Sequence, residues 1–139
     1  MRVSILLLAM LLSACGTPEA PLVISELEIT KPMPGMKMNA GFFVITNRTN
    51  ETARITRVTS PQFEAVEIHE TTISDGISRM RELEALEVPG QSSVVLERGG
   101  KHLMLIRPRD LQDTVTLQFF SGELPLLTVD YSFMKDERK

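Results

Sequence analysis

The 139-residue sequence predicts an all-β domain: a β-sandwich or Greek-key barrel of eight or nine short antiparallel strands. Three observations carry that expectation. Apolar and polar residues alternate with period two in segment after segment. No stretch beyond the first 21 residues sustains the i, i+3, i+4, i+7 apolar pattern of an amphipathic helix. Turn-forming residues break the alternation at short intervals.

Segment 22–30 opens the set, with Val23, Ser25, Leu27 and Ile29 on one face and Ile24, Glu26, Glu28 and Thr30 on the other. Residues 41–46 are a continuous apolar run, as expected of a buried central strand. Segment 53–59 sets Ile55 against Arg54, Thr56 and Arg57, and segment 62–71 follows Pro61. Segments 77–83, 93–97, 102–107, 115–120 and 126–133 complete the series. Residues 47–50, Ser74-Asp75-Gly76, Pro89-Gly90, Gly99-Gly100, Pro108 and Ser121-Gly122 supply the turns between them. A chain of this length forms one domain and buries about two-thirds of its unfolded surface.

The N-terminus is expected to lie outside that domain. Arg2 precedes an apolar run over residues 3–12, half the roughly 20 residues a membrane-spanning helix needs, so the run reads as the core of a signal peptide. Leu12-Ser13-Ala14-Cys15 resembles a bacterial lipobox, which implies that residues 1–14 are removed and Cys15 carries lipid. An ordinary secretory signal with an incidental cysteine is the alternative. Residues 15–21 then form a tether, 22–134 the folded domain and 135–139 a mixed-charge tail. Cys15 is the sole cysteine, so no intramolecular disulfide forms. The chain has 15 Lys and Arg against 18 Asp and Glu, net −3, and loss of Arg2 with the leader makes this −4. Scattered charges of that balance do not point to nucleic acid or to an anionic membrane surface. Gly16 after the cysteine resembles outer-membrane sorting, which places the expected monomer on the periplasmic face of that membrane.

The candidate site is His69, Met80, His102 and Met104, spaced H-x10-M-x21-H-x-M and using both histidines of the chain. Thioether sulfur selects Cu(I), and imidazole suits copper as well as zinc. His102 and Met104, two apart on a strand, share a face about 6.6–7 Å apart. His69 and Met80 flank Ser74-Asp75-Gly76. A Ser74-Asp75 loop sets them directly opposite, whereas an Asp75-Gly76 loop, favoured by turn propensity, sets Met80 opposite Thr71 with His69 diagonal to it. Both registers keep the pair on one face; a one-residue slip between them separates it. Taken singly, each methionine is more readily a core filler, and each histidine a satisfied or surface residue. Taken together at this spacing, the four favour a Cu(I) site. Met33, Met36 and Met38 form a second cluster in a Pro/Gly turn, either a secondary Cu(I) or Ag(I) site or docking surface, or a hydrophobic loop capping the domain. Glu67, Glu70 and Glu82 read as solvent-facing strand residues rather than ligands, and Glu70 must point away from His69.

Enzyme chemistry finds no footing. Blue-copper electron transfer needs a cysteine thiolate with two histidines, and Cys15 is committed to the anchor. There is no Ser-His-Asp or Cys-His set, no H-E-x-x-H and no Gly-rich phosphate loop.

The four-residue pattern resembles the signature H(M)-x10-M-x21-H-x-M of the periplasmic copper chaperones called PCu(A)C. Ala40-Gly41-Phe42-Phe43, Thr46-Asn47, Glu67-Ile68-His69-Glu70-Thr71, Gly99 to Leu105 and Leu111 are similar to that family too, and the likeness runs over about residues 22–133. The resemblance implies a cupredoxin-like Greek-key β-sandwich that binds Cu(I) through His69, Met80, His102 and Met104. It also implies delivery to a copper-accepting protein, such as the CuA subunit of cytochrome c oxidase or a Sco-type thiol protein. The lipobox departs from the many freely soluble members. A copper-sequestering lipoprotein with no dedicated acceptor is the second reading.

Overall fold

Period-two alternation resolves into eleven antiparallel strands in a computed structural model that describes residues 20–31, 33–109 and 113–133. The leader, Cys15, Leu111 and the 135–139 tail lie outside the described residues. In chain order the strands are β1 (Leu22–Ile29), β2 (Met38–Asn47), β3 (Ala53–Ile55), β4 (Arg57–Thr59), β5 (Phe63–Ser74) and β6 (Ile77–Glu82). They continue with β7 (Leu86–Val88), β8 (Ser92–Leu96), β9 (Lys101–Pro108), β10 (Thr114–Ser121) and β11 (Leu124–Ser132). One sheet runs β1-β2-β9-β5-β4-β10-β11, with β6 added on β5 and β8 on β2, while β3 and β7 pair as a separate ribbon. Contacts between β1 and β11 bring the two ends of the sheet together, so the fold is all-β and barrel-like.

The count exceeds the eight or nine expected, for two physical reasons. Segment 53–59 is broken at Thr56, whose amide donates to Phe120 O at 2.9 Å. The break lets Ile55 and Val58, three residues apart and so on opposite faces of any unbroken strand, both reach the core. β7 is only three residues long, with Leu86 and Val88 buried about exposed Glu87. The first strand also departs from simple alternation. A bulge between Ser25 and Glu28, with Glu26 at φ 55°, adds a residue against β2. Leu22 and Ile29, seven apart, are thereby both turned inward.

β2 is central, paired with β1 along one edge and with β9 and then β8 along the other. Its inner residues Phe43 and Ile45 pack in a core with Ile55, Phe63, Leu103, Leu105, Leu117 and Phe119, and the Phe43 and Phe119 rings meet edge to face at 5.7 Å. Gly41 lies opposite Leu103, and a Cβ there would stand 3.2 Å from Leu103 Cβ. The close approach of β2 to β9 therefore depends on the missing side chain.

Asn47, at the end of β2, is buried and fully engaged. Its Nδ2 donates to Glu51 O at 2.8 Å and Val88 O at 2.9 Å, and its Oδ1 accepts from the Thr49 amide and hydroxyl. One side chain thus folds the loop after β2 and ties β7 to it. Asn47→Ala strands those partners and is expected to destabilise the fold by about 1–3 kcal/mol, read as a lower urea midpoint at unchanged slope.

Candidate metal centre

The site is built on the register of β5 between β6 and β9. In the β5–β9 pair His69 faces His102 and Glu67 faces Met104. In the β5–β6 hairpin Ser74 faces Ile77 and Thr71 faces Met80. This is the Asp75-Gly76 loop, with both residues at positive φ (52° and 75°), as a type I′ turn requires. Since directly opposed residues share a face, His69, Thr71, Met80, Glu67, His102 and Met104 all project from one side of the sheet. That side is the outer one, because Ile68, Leu103 and Leu105 fill the core from the other. His102 sits beside the turn of residues 97–100, and Met80 stands on a hairpin that runs on past the last β9 partner. His69 and Met104 lie farther within the strands.

The two imidazoles are tilted by 50° with centroids 6.0 Å apart. A metal–imidazole bond of about 2.0 Å plus the ring radius places an ion about 3.2 Å from each centroid, so two rings sharing one ion stand up to about 6.4 Å apart. The observed spacing fits that requirement. The nitrogens are also divided suitably. His102 Nδ1 donates to Gly100 O at 3.0 Å, and that carbonyl also accepts from the Thr71 amide at 3.0 Å. His69 Nε2 donates to Glu67 Oε2 at 2.8 Å. Carbonyl and carboxylate oxygens only accept, so in the neutral form each ring carries its proton on the oriented nitrogen and has a lone pair on the other. His69 Nδ1 is buried with no hydrogen-bond partner. A buried polar atom without a partner calls for a physical reason, and an electron-pair acceptor such as a metal ion provides one.

Glu67 is a correction to the sequence reading. It is not an idle solvent-facing carboxylate but the group that orients His69, as outer partners commonly do for metal-binding histidines. Its position two residues before His69 on one strand was the available signal. Glu82 faces His69 from β6 and stays exposed. Glu70 points to the opposite face, as alternation demands, where Arg81 at 2.8 Å and Lys101 at 3.1 Å hold it. Hydrogen bonds from Arg81 first and Lys101 second keep its carboxyl below the ordinary carboxylate range. His102 is only 8% exposed. Phe42 lies against it with centroids 6.5 Å apart, beneath the Arg98 guanidinium at 4.7 Å. Met80 is 53% exposed. Among the described residues no three His, Cys, Asp or Glu side chains gather closely enough to hold a metal ion.

A nearly closed antiparallel sheet in this topology is the cupredoxin-like fold of PCuAC domains. It matches the copper-bound PCuAC domain from PmoF2 with a TM-score of 0.64 at 17% identity, over 81% of this chain and 91% of that one. The Cu(I) form of DR1885 from Deinococcus radiodurans matches at 0.59 and 21% identity, over 86% and 80%. By sequence the chain belongs to the family described as "Putative lipoprotein LpqE-like", whose model covers residues 22–123. It is also 31% identical over 94 residues to "Putative lipoprotein Lxx21020" of Leifsonia xyli subsp. xyli, a stretch covering 63% of this chain and 57% of that relative's length.

Two outcomes are expected of the metal-free protein. Long-range nitrogen NMR should find His69 as the Nε2–H tautomer and His102 as the Nδ1–H tautomer. Glu70→Gln should lower the melting temperature by a few degrees at neutral pH. A carboxylate whose folded pKa is depressed stabilises the fold above its ordinary range and loses that contribution as pH falls through the lowered value. The difference between wild type and variant should accordingly shrink in thermal melts as the pH is lowered through the carboxylate's depressed range.

Proposed function

We propose that this chain is an envelope Cu(I) metallochaperone, binding one ion tightly through His69, Met80, His102 and Met104 and passing it to an acceptor protein. The observation that carries the reading is the pair of opposed imidazoles with two lone pairs unengaged, one of them buried and unpartnered, on a face that also bears both thioethers. Thioether and imidazole are neutral, soft enough for Cu(I), and free of a thiolate that an oxidising compartment would consume. The carboxylate of Glu67, bonded to His69, offsets the charge of the cation without becoming a ligand. Copper-bound domains of the same fold support the choice of metal.

Delivery follows from the way the ligands are mounted. The imidazoles are held by Glu67 and Gly100, whereas Met80 rides an exposed hairpin on a flexible, unbranched side chain. An incoming acceptor ligand displaces Met80 first, and the ion leaves by stepwise exchange of donors. The lipobox reading adds that Cys15 anchors the domain through lipid, at the periplasmic face of the outer membrane. A CuA domain of cytochrome c oxidase is the first acceptor to test.

The test is anaerobic titration of the mature protein with Cu(I) against a chromophoric competitor, followed by transfer to a CuA-domain fragment. Met80→Leu and Met104→Leu nearly conserve volume and should leave the fold intact. Each should weaken Cu(I) binding about tenfold or more, equivalent to at least about 1.4 kcal/mol, while Cu(II) binding changes little. Unchanged Cu(I) affinity in both variants would remove the four-residue site.

A further inference from the structure

Met33, Met36 and Met38 stand outside the four-residue set, and the structure gives them a geometry of their own. Pro34 and Gly35 occupy the central positions of a turn closed by Met36 N donating to Met33 O at 3.0 Å, with Gly35 at φ 82°. That is a type II turn, which brings the α-carbons of Met33 and Met36 within about 7 Å. Lys37 O then accepts from the Arg107 amide at 2.7 Å, drawing the chain into the ladder beside β9. Met36 thus stands two residues before Met38, the first residue of β2. The three side chains are 60%, 51% and 50% exposed. Methionine is ordinarily a gap-filler of cores, yet half or more of each of these residues is open to solvent.

The turn is also joined to the metal face. Met38 lies opposite Ile106 and Ala40 opposite Met104. Met38 is thus a diagonal neighbour of Met104 on the same outer side of the sheet, about 7–8 Å away. Met104 in turn lies two residues from His102 and opposite Glu67, next to His69. Strand register therefore sets Met38, Met104 and the imidazole pair in succession on one outer face.

We propose that Met33, Met36 and Met38 form a second, weaker Cu(I) site that receives the ion and feeds it to the histidine-containing site through Met38 and Met104. The inference rests on the Cu(I) reading above and adds an entry point to it. Three soft neutral donors suit Cu(I) and discriminate against hard cations. The site is the weaker one because it lacks imidazole and has Lys37 in its midst, whose positive charge opposes a cation. Arg107 beside it is engaged by Glu64 at 2.7 Å. Transfer is ligand exchange alone: one thioether–copper bond forms as another breaks, and the metal stays Cu(I).

The experiment uses the mature full-length chain with methyl-labelled methionine, titrated anaerobically with Cu(I) alone. The first equivalent should shift the Met80 and Met104 methyl signals, and a second, weaker equivalent those of Met33, Met36 and Met38. The triple variant Met33→Leu/Met36→Leu/Met38→Leu, its fold checked by circular dichroism, should keep the first equivalent and lose the second. It should also load the first several-fold more slowly. The double variant His69→Ala/His102→Ala should lose the tight equivalent and retain the weak one. If it keeps the tight equivalent, the four-residue reading fails while the turn site stands. A triple variant that still takes up two equivalents overturns the turn site. So does one that loads normally but no longer transfers copper to an acceptor fragment, because the turn is then a protein-docking surface.

Discussion

Everything at the site depends on the register of β5 against β9. Because successive strand residues face opposite ways, a slip of one residue would place one imidazole outside and the other in the core. The register is held from the core side, where Ile68 faces Leu103 and Val66 faces Leu105. On that same side, beyond the apolar core, Glu70 bonds both Lys101 of β9 and Arg81 of β6. Gly41 allows β2 to close on Leu103 and completes the support. The imidazole pair is therefore aligned by packing on the opposite side of the sheet, and the outer face carries the largely covered imidazoles beside exposed Met80.

The same strand gives chemically identical side chains different roles. Glu67 and Glu70 are three residues apart in β5 and so lie on opposite faces. Glu70 meets two cations and works as a tie between three strands. Glu67 meets an imidazole and fixes which nitrogen carries the proton. Gly100 performs the matching service for His102 with a backbone carbonyl. One histidine is thus oriented by a side chain and the other by the main chain, which adds no charge to the site.

Much of this was legible in the sequence. The alternation marked nearly every long strand, and the Asp75-Gly76 pair predicted the hairpin loop that sets Met80 opposite Thr71. Local chemistry does not determine which distant strands become neighbours, so the meeting of His69 with His102 could be named as a motif but not constructed. The break at Thr56 and the bulge at Glu26 were hidden for a related reason. Both serve to turn apolar residues of unsuitable spacing into a common core, a tertiary demand with no local signature. Glu67 was passed over because a carboxylate on a half-buried strand is ordinarily just solvated.

The layout also bears on how the proposed Cu(I) ion would be held. Met80 and Met104 face Thr71 and Glu67, four residues apart along β5, roughly 13 Å of strand. They approach the imidazole pair from opposite corners, one from the exposed hairpin and one from the side of the Met33 turn. On the proposed Cu(I) reading, a ligand shell assembled in this way would have a rigid centre and two pliant arms. The rigid centre would favour affinity, because its donors are aligned beforehand and little ordering remains to oppose binding. The pliant arms would favour exchange, because either could be replaced by an outside donor without disturbing the histidines. Carrying a metal and releasing it make opposed demands on binding, and under the proposed function a division between anchored imidazoles and exposed, flexible thioethers would let one small face meet both.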